Sequence, residues 1–377
     1  MPSPSSLLGA LSAHYSGPYI CYDLSRIREF AAGIGQEAAA SGARIYGVVK
    51  ALAHPGLLRA AHPFVAGFDA SNFAELDLLA EWAGREGVAL PFEEISLTGP
   101  AMGIGSAGRR VLCRTLVVNV ESASQLGCLE VAGCLAQRVK LGIRVALGGR
   151  GGETGGRTRQ SRFGLSLDNM DQIQELASHP SFHGFHIHME GDRAQPVSHA
   201  LLARHLAELA QALPRAPELI NLGGGFRTQT LEQIGAVFRD CRKEVPTSIQ
   251  LRFEPGTWLS ESGGFAVAKV LDIRVDREVD TTTAVIDLSR EAHVRWSHPS
   301  LTAWGGPTLT TRLLQLVGPT CSEADDFGTF TVGAMPLESP GPSATPLVLL
   351  TGVSGYACAF NTAFNGVSPA KVVVLGE

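Results

Sequence analysis

From residue 19 the chain alternates short apolar runs with stretches whose apolar residues recur at helical spacing. Residues 19–22 (YICY) read as a strand. Asp23 then caps a helix that carries Leu24, Ile27, Phe30 and Ile34 on one face. Further strands fall at 44–50, 116–120, 139–145, 182–188, 219–222 and 249–253, and a helical stretch at 121–126 follows the second of these. Strand and helix in regular alternation predict a parallel sheet. Sustained over residues 24–260, the pattern predicts a closed (β/α)8 barrel of TIM type rather than an open sheet.

The pattern changes after about residue 260. Residues 265–271, 273–275, 283–288, 327–332 and 347–350 read as strands separated by turns, with little helix between them. They predict a second, mostly β domain, formed by 261–377 and joined by 1–23. The stretch 148–156 (GGRGGETGG) reads as a flexible loop. No internal repeat and no block of like charge interrupts the chain.

Composition narrows the classes. At 377 residues the length suits about two domains, and 45% hydrophobic with 18% charged residues supplies enough apolar material for real cores. A formal net charge of −5 excludes a general nucleic-acid binder, which needs a basic face. No apolar run reaches the ~18 residues of a membrane span. The N-terminal MPSPSSLLGALSAHY lacks a basic region followed by an apolar one, and reads as mature sequence. Seven scattered cysteines without a CxxC pair argue against a disulfide framework and for a reducing, cytoplasmic setting.

In such a barrel, reactive groups gather at the C-terminal ends of the strands. Strand 44–50 ends in Lys50. A lysine there can simply reach solvent, or it can be an amine at an apolar barrel mouth, where desolvation lowers its pKa and suits it to Schiff-base chemistry. Strand 182–188 ends in His186-Ile187-His188, whose alternation puts both imidazoles on one face. With no third ligand at suitable spacing, stacking or acid–base work suits them better than a metal. Gly223, Gly224 and Gly225 follow strand 219–222. They make a tight turn, or their bare amides wrap an anion such as a phosphate. Strand 249–253 runs into Glu254-Pro255-Gly256. A carboxylate beside a phosphate site suits a cation, and a protonated pyridine nitrogen is one. Lysine amine, stacking histidine, phosphate cradle and carboxylate together describe a pocket for pyridoxal 5'-phosphate.

At this point the sequence resembles the fold-type III pyridoxal-phosphate decarboxylases, the ornithine/diaminopimelate/carboxynorspermidine decarboxylase family. Tyr46-Gly47-Val48-Val49-Lys50-Ala51 is similar to the segment bearing the cofactor lysine. Gly67-Phe68-Asp69-Ala70-Ser71 with Glu75, Ser161-Arg162-Phe163-Gly164 and Gly184-Phe185-His186-Ile187-His188 resemble later barrel motifs. Gly223, Gly224, Gly225 and Glu254-Pro255-Gly256 follow in order. Gly318-Pro319-Thr320-Cys321 resembles the family's cysteine motif, and Tyr356 precedes Phe364-Asn365-Gly366 at the family's spacing.

The resemblance implies a decarboxylase acting on an amino-acid-type substrate, in polyamine, siderophore or other specialised amine biosynthesis. It also implies a head-to-tail homodimer in which Cys321 comes from the neighbouring subunit. Lys50 would hold the cofactor, His188 stack on its ring, and Glu254 keep the ring nitrogen protonated. Gly223, Gly224, Gly225, Gly256, Asp69, Ser71 and Tyr356 would contact it, with Asp69 orienting His188. Cys321 would protonate the carbanion left by CO2. Ser322, Glu323 and Arg162 are candidates toward the substrate, Arg162 having a structural role as its alternative. His293 reads as a surface residue. Three positions depart from the pattern. Met189-Glu190-Gly191 replaces the Gly-Ser after the stacking histidine, Thr257 replaces an arginine, and Ser322 stands where diamine-forming members place an acid. A racemase on a related scaffold and a decarboxylase-like binding protein without turnover remain the alternatives.

Overall fold

The computed structural model describes residues 8–11, 14–89, 92–101, 112–131, 139–146, 161–188, 198–226, 230–332 and 345–376. The expected loop at 148–156 and the departure at Met189-Glu190-Gly191 lie outside them. The chain divides into two compact units, one of residues 30–50 and 61–256, the other of 1–29, 51–60 and 257–377.

Strand β1 (Tyr19–Asp23) belongs to the second unit; the first is a closed barrel. Its strands are β2 (Ala43–Val48), β3 (Gly67–Ala70), β4 (Phe92–Thr98), β5 (Cys113–Val120), β6 (Val139–Ala146), β8 (Phe182–His186), β9 (Leu219–Asn221) and β10 (Gln250–Phe253), with the two-residue β7 (Leu165–Ser166) attached to β6. They run in the order β5-β4-β3-β2-β10-β9-β8-β6, every pairing is parallel, and β5 pairs with β6 to close the ring. Parallel strands are covered on both faces, which is why they read as apolar runs and not as alternation. On β10, Phe253 stacks 4.3 Å from Phe238 of the outer helix Leu231–Glu244. Arg252, on the opposite side of the strand, is fully buried, pairs with Glu94 and lies 4.7 Å over the Tyr46 ring. Glu254, two residues on, shares that inward side.

The second unit is a mostly β sheet. The long β11 (Gly264–Asp276) pairs antiparallel with β12 (Thr281–Ile286), β16 (Leu347–Thr351) and β1. β13 (Ser300–Trp304), β14 (Leu313–Val317) and β15 (Asp326–Thr331) extend the order to β13-β16-β11-β12-β14-β15, and β17 (Lys371–Leu375) lies parallel to β1. Cys21, Phe265, Val267, Ala303, Leu347 and Leu349 form its core with Leu8. Asp23 caps the helix Leu24–Ala40 as expected, its Oδ1 accepting the amides of Ser25 (2.9 Å) and Arg26 (3.2 Å).

Six of the described strands escape the sequence pattern: β3, β4, the two-residue β7, β13, β14 and β17. β3 is four residues with a glycine and an aspartate, and β4 opens on Phe92-Glu93-Glu94 before its buried half. Both are short of the sustained apolar run that marks the other barrel strands, and pairing on either side within the ring sets them as strands.

Candidate active site

The barrel mouth gathers its polar groups from the ends of five strands. β2 stops at Val48, and a single 3-10 turn, Val49–Ala51, carries the partly exposed Lys50. β3 delivers Asp69, which is buried, and Ser71 just beyond the strand. β8 ends at His186 and is followed by His188; β9 leads into the three glycines, and β10 into Glu254.

Glu254 is only 4% exposed and is gripped by two donors. Asn221 Nδ2 donates to its Oε1 at 2.7 Å, and His186 Nε2 lies 3.3 Å from the same oxygen. Burial alone would push its pKa up, but His186, His188 and the Asn221 hydrogen bond overcome that and hold it below the ordinary carboxylate range. Asp69 goes the other way. Burial and then the charge on Glu254 raise it, against the opposing pull of Lys50 and hydroxyls of Thr98 and Ser96. The two buried carboxyls are thus pushed in opposite directions, Glu254 down and Asp69 up.

His188 presents an exposed ring, with its Nδ1 accepting the Gly224 amide at 3.2 Å. That bond places the proton of the neutral ring on Nε2. Surrounding protein and the nearby Lys50 push its pKa down, opposed by Glu254, so the ring is neutral at pH 7. A neutral ring with an open face is what stacking on an aromatic cofactor requires.

The hydrogen bonds of His188 and Asp69 run to different partners. His188 is oriented by Gly224, while Asp69 accepts the Thr98 hydroxyl at 2.8 Å, itself tied to Asn119 Nδ2 at 2.8 Å. The Gly223 amide donates to Asn221 Oδ1 (3.0 Å) and the Gly224 amide to His188, so two of the three amides are committed inside the protein. Gly225, at φ +94°, supplies the one not engaged by a described residue. The glycines are bare because the neighbours are close. A Cβ at Gly223 would sit 2.5 Å from the Ile187 carbonyl oxygen, and one at Gly224 would sit 2.8 Å from that of Glu254 and 3.2 Å from the His188 ring. Gly256 likewise spends its amide on the Glu254 carbonyl, at 2.8 Å.

Arg162 is exposed and covers the Phe163 ring at 3.9 Å. Arg144 is the more enclosed cation. It pairs with Glu121 at 2.6 Å, with both side chains about nine-tenths buried, and touches the other side of Phe163 at 4.6 Å.

In the second unit the Cys321 segment is built around the buried Asp325. Its carboxylate accepts the Thr320 amide and hydroxyl, the Ser289 hydroxyl and the Arg290 amide at 2.6–3.1 Å. Cys321 itself is exposed, its amide donating to Asn365 Oδ1 at 3.1 Å. Glu323 is exposed and Ser322 partly so, its hydroxyl accepting the Ala324 amide. Tyr356 packs edge-on against Trp296 at 5.3 Å. His293, expected at the surface, is fully buried and accepts the Ser289 amide at Nδ1. Its polar surroundings hid it from a hydropathy reading.

Sequence reasoning missed Asn221 as the clamp on Glu254, the Arg144–Glu121 pair, and His199. The His199 Nε2–H donates to the Gly224 carbonyl at 2.9 Å while its ring stacks on Phe226 at 4.5 Å, which pins the glycine turn from behind. The alternation at 182–188 flagged His186 but not its partner.

A closed eight-strand parallel barrel with a separate, mostly β unit is the fold of the fold-type III pyridoxal-phosphate decarboxylases. Solved structures of that kind match the chain over its whole length. They include a lysine/ornithine decarboxylase from Vibrio vulnificus complexed with putrescine, with a TM-score of 0.71 and 20% identity over 100% of this chain and 99% of that one. The arginine decarboxylase of Paramecium bursaria Chlorella virus, bound to agmatine, gives 0.73 and 15% over 98% and 100%. SrLDC in complex with PLP and cadaverine gives 0.71 and 16% over 100% and 94%. No family model and no curated protein matches the sequence. No helix among the described residues is long and apolar enough to cross a membrane.

Proposed function

We propose that this protein is a pyridoxal-phosphate-dependent carboxy-lyase that removes the α-carboxylate of an amino-acid-type substrate as CO2. One observation carries the reading. Within a single barrel mouth, an ionised, doubly gripped Glu254 lies within electrostatic reach of a neutral, open-faced His188, and His188 in turn within reach of Lys50. The residues fit the cofactor. The exposed ring of His188 offers a stacking face, Glu254 offers a fixed anion for a ring cation, and the buried Ser71 hydroxyl has no partner among the described residues.

When bound, the cofactor supplies an electron sink for the pair left behind by the departing carboxylate. Lys50 would hold it through its amine. Glu254, kept charged by Asn221 and His186, would hold the proton on its ring nitrogen. His188, fixed by Gly224, would set the tilt of the ring. Gly225 and Ser71 would offer polar contacts to it. Cys321 would deliver a proton to Cα of the substrate through its thiol S–H. Its exposure supports donation to a second copy of the chain in a homodimer. Ser322 and Glu323 beside it are the side chains proposed to meet the far end of the substrate. A cytoplasmic enzyme of polyamine, siderophore or related amine biosynthesis fits this reading.

The test is release of labelled CO2 from a panel of carboxyl-labelled L- and D-amino acids, carboxy-polyamines and citryl conjugates, with pyridoxal phosphate added. Release from at least one of them is expected. Retained label with loss of optical rotation would mean a racemase, and binding without turnover would mean a non-catalytic protein.

A further inference from the structure

Glu254 and Asp69 are both buried and lie within electrostatic reach of each other, Glu254 facing His186 and His188 and Asp69 facing Lys50. Each carboxylate disfavours the charge on the other, so their partners decide where the charge settles. The difference lies in the donors. Asp69 accepts neutral hydroxyls from Thr98 and Ser96, and its nearby cation, Lys50, does not reverse the upward push of burial. Glu254 accepts the Asn221 amide and faces the Nε2 of His186 at 3.3 and 3.5 Å from its two oxygens.

His186 is 1% exposed, and its Nδ1 is buried with no hydrogen-bond partner among the described residues. An imidazole must keep at least one N–H. With nothing to receive a proton at Nδ1, the proton belongs on Nε2, against Glu254. Burial of both groups makes that hydrogen bond stronger than it would be in water. His186 lies too deep in the strand end to present a ring face as His188 does, and the mechanism leaves it no other task.

We infer that His186 is a positioning residue that fixes negative charge on Glu254 rather than on Asp69, and so decides that the cavity binds a ring cation. The inference deepens the cofactor reading and rests on it, but its first test does not. The side-chain carboxyl of Glu254 is followed by NMR in protein carrying 13C-labelled glutamate, its signal identified by absence in Glu254→Gln. In wild type it should stay ionised well below the pH at which exposed glutamates titrate. In His186→Leu its midpoint should rise by about one pH unit or more, a tenfold change in proton affinity. His186→Gln, whose amide reaches the Nε2 position, should behave as wild type. His186→Asn, whose amide reaches only the Nδ1 position, should behave as leucine. The Gln and Asn variants decide the matter even if leucine prevents folding. Unchanged titration in leucine, or equal behaviour of Gln and Asn, overturns the inference.

A second readout uses pyridoxal phosphate and an analogue with CH in place of the ring nitrogen. Wild type and His186→Gln should prefer the natural ring, and His186→Leu should lose about tenfold of that preference. A retained preference in leucine counts against His186. Wild type that binds neither ligand sinks the cofactor reading, while the carboxyl titration still decides the role of His186.

Discussion

The barrel mouth and the Cys321 segment are built by opposite means. At the mouth, Lys50, Asp69, His188 and Glu254 stand at the ends of strands far apart in sequence, and Asp69, His188 and Glu254 are each held by a buried neighbour, Thr98, Gly224 and Asn221 in turn. The Cys321 segment is wound around one buried acid, Asp325, which also takes donors from Ser289 and Arg290, and its thiol is left at the surface. The lesson is a division of labour. Groups that must keep a fixed charge are caged by long-range contacts. The thiol proposed to lend a proton is presented at the surface beside a buried acid, where it can meet something else.

The largest expected effect falls on the caged side. Lys50→Ala should lower CO2 release by on the order of a thousandfold or more, since the other groups act only on what the amine holds. Retained turnover would break the comparison at its centre. Glu254→Gln keeps the shape but not the charge, and should cost about 10²–10³ in kcat, read by steady-state kinetics with the fold intact by circular dichroism.

Asp325→Ala tests the other region. It strands the hydroxyls of Thr320 and Ser289 and two amides, at about 1–3 kcal/mol for each donor left buried and unpaired, read from denaturation midpoints. It should slow protonation of the product while leaving cofactor affinity at the wild-type level. Gly224→Ala should act in the reverse sense. The added methyl presses on Glu254 and His188, costs about 1–3 kcal/mol of stability and weakens cofactor binding, measured by equilibrium titration.

The smallest effect is one of pH. Glu254 titrates lower folded than unfolded, so the unfolded chain takes up its proton first as the pH falls. The stability this carboxylate contributes is therefore complete above about pH 4.5 and is lost below it. Urea midpoints recorded across that range should fall more steeply for wild type than for Glu254→Gln.

The same division governs what the sequence could disclose. The barrel was legible because its strands are buried on both faces and read as apolar runs with helices between. The exceptions, β3 and β4, carry Asp69, Glu93 and Glu94 and owe their pairing to ring closure. Lys50, His188 and Glu254 stand at strand ends, where a barrel puts its chemistry, so their candidacy was legible too. Their partners were not. Gly224 binds a histidine 36 positions earlier and Glu254 one 68 positions earlier, and no local periodicity encodes contacts of that span. The three glycines show the limit well. Their composition suggested open amides for an anion, whereas two of those amides serve the protein and the missing side chains make room for His188 and Glu254.

The most direct measurement is borohydride reduction of the protein after incubation with pyridoxal phosphate, followed by peptide mapping. The account expects the cofactor fixed on the peptide containing Lys50, and no fixation in Lys50→Ala. Label on another lysine, or equal labelling of the alanine variant, would contradict it.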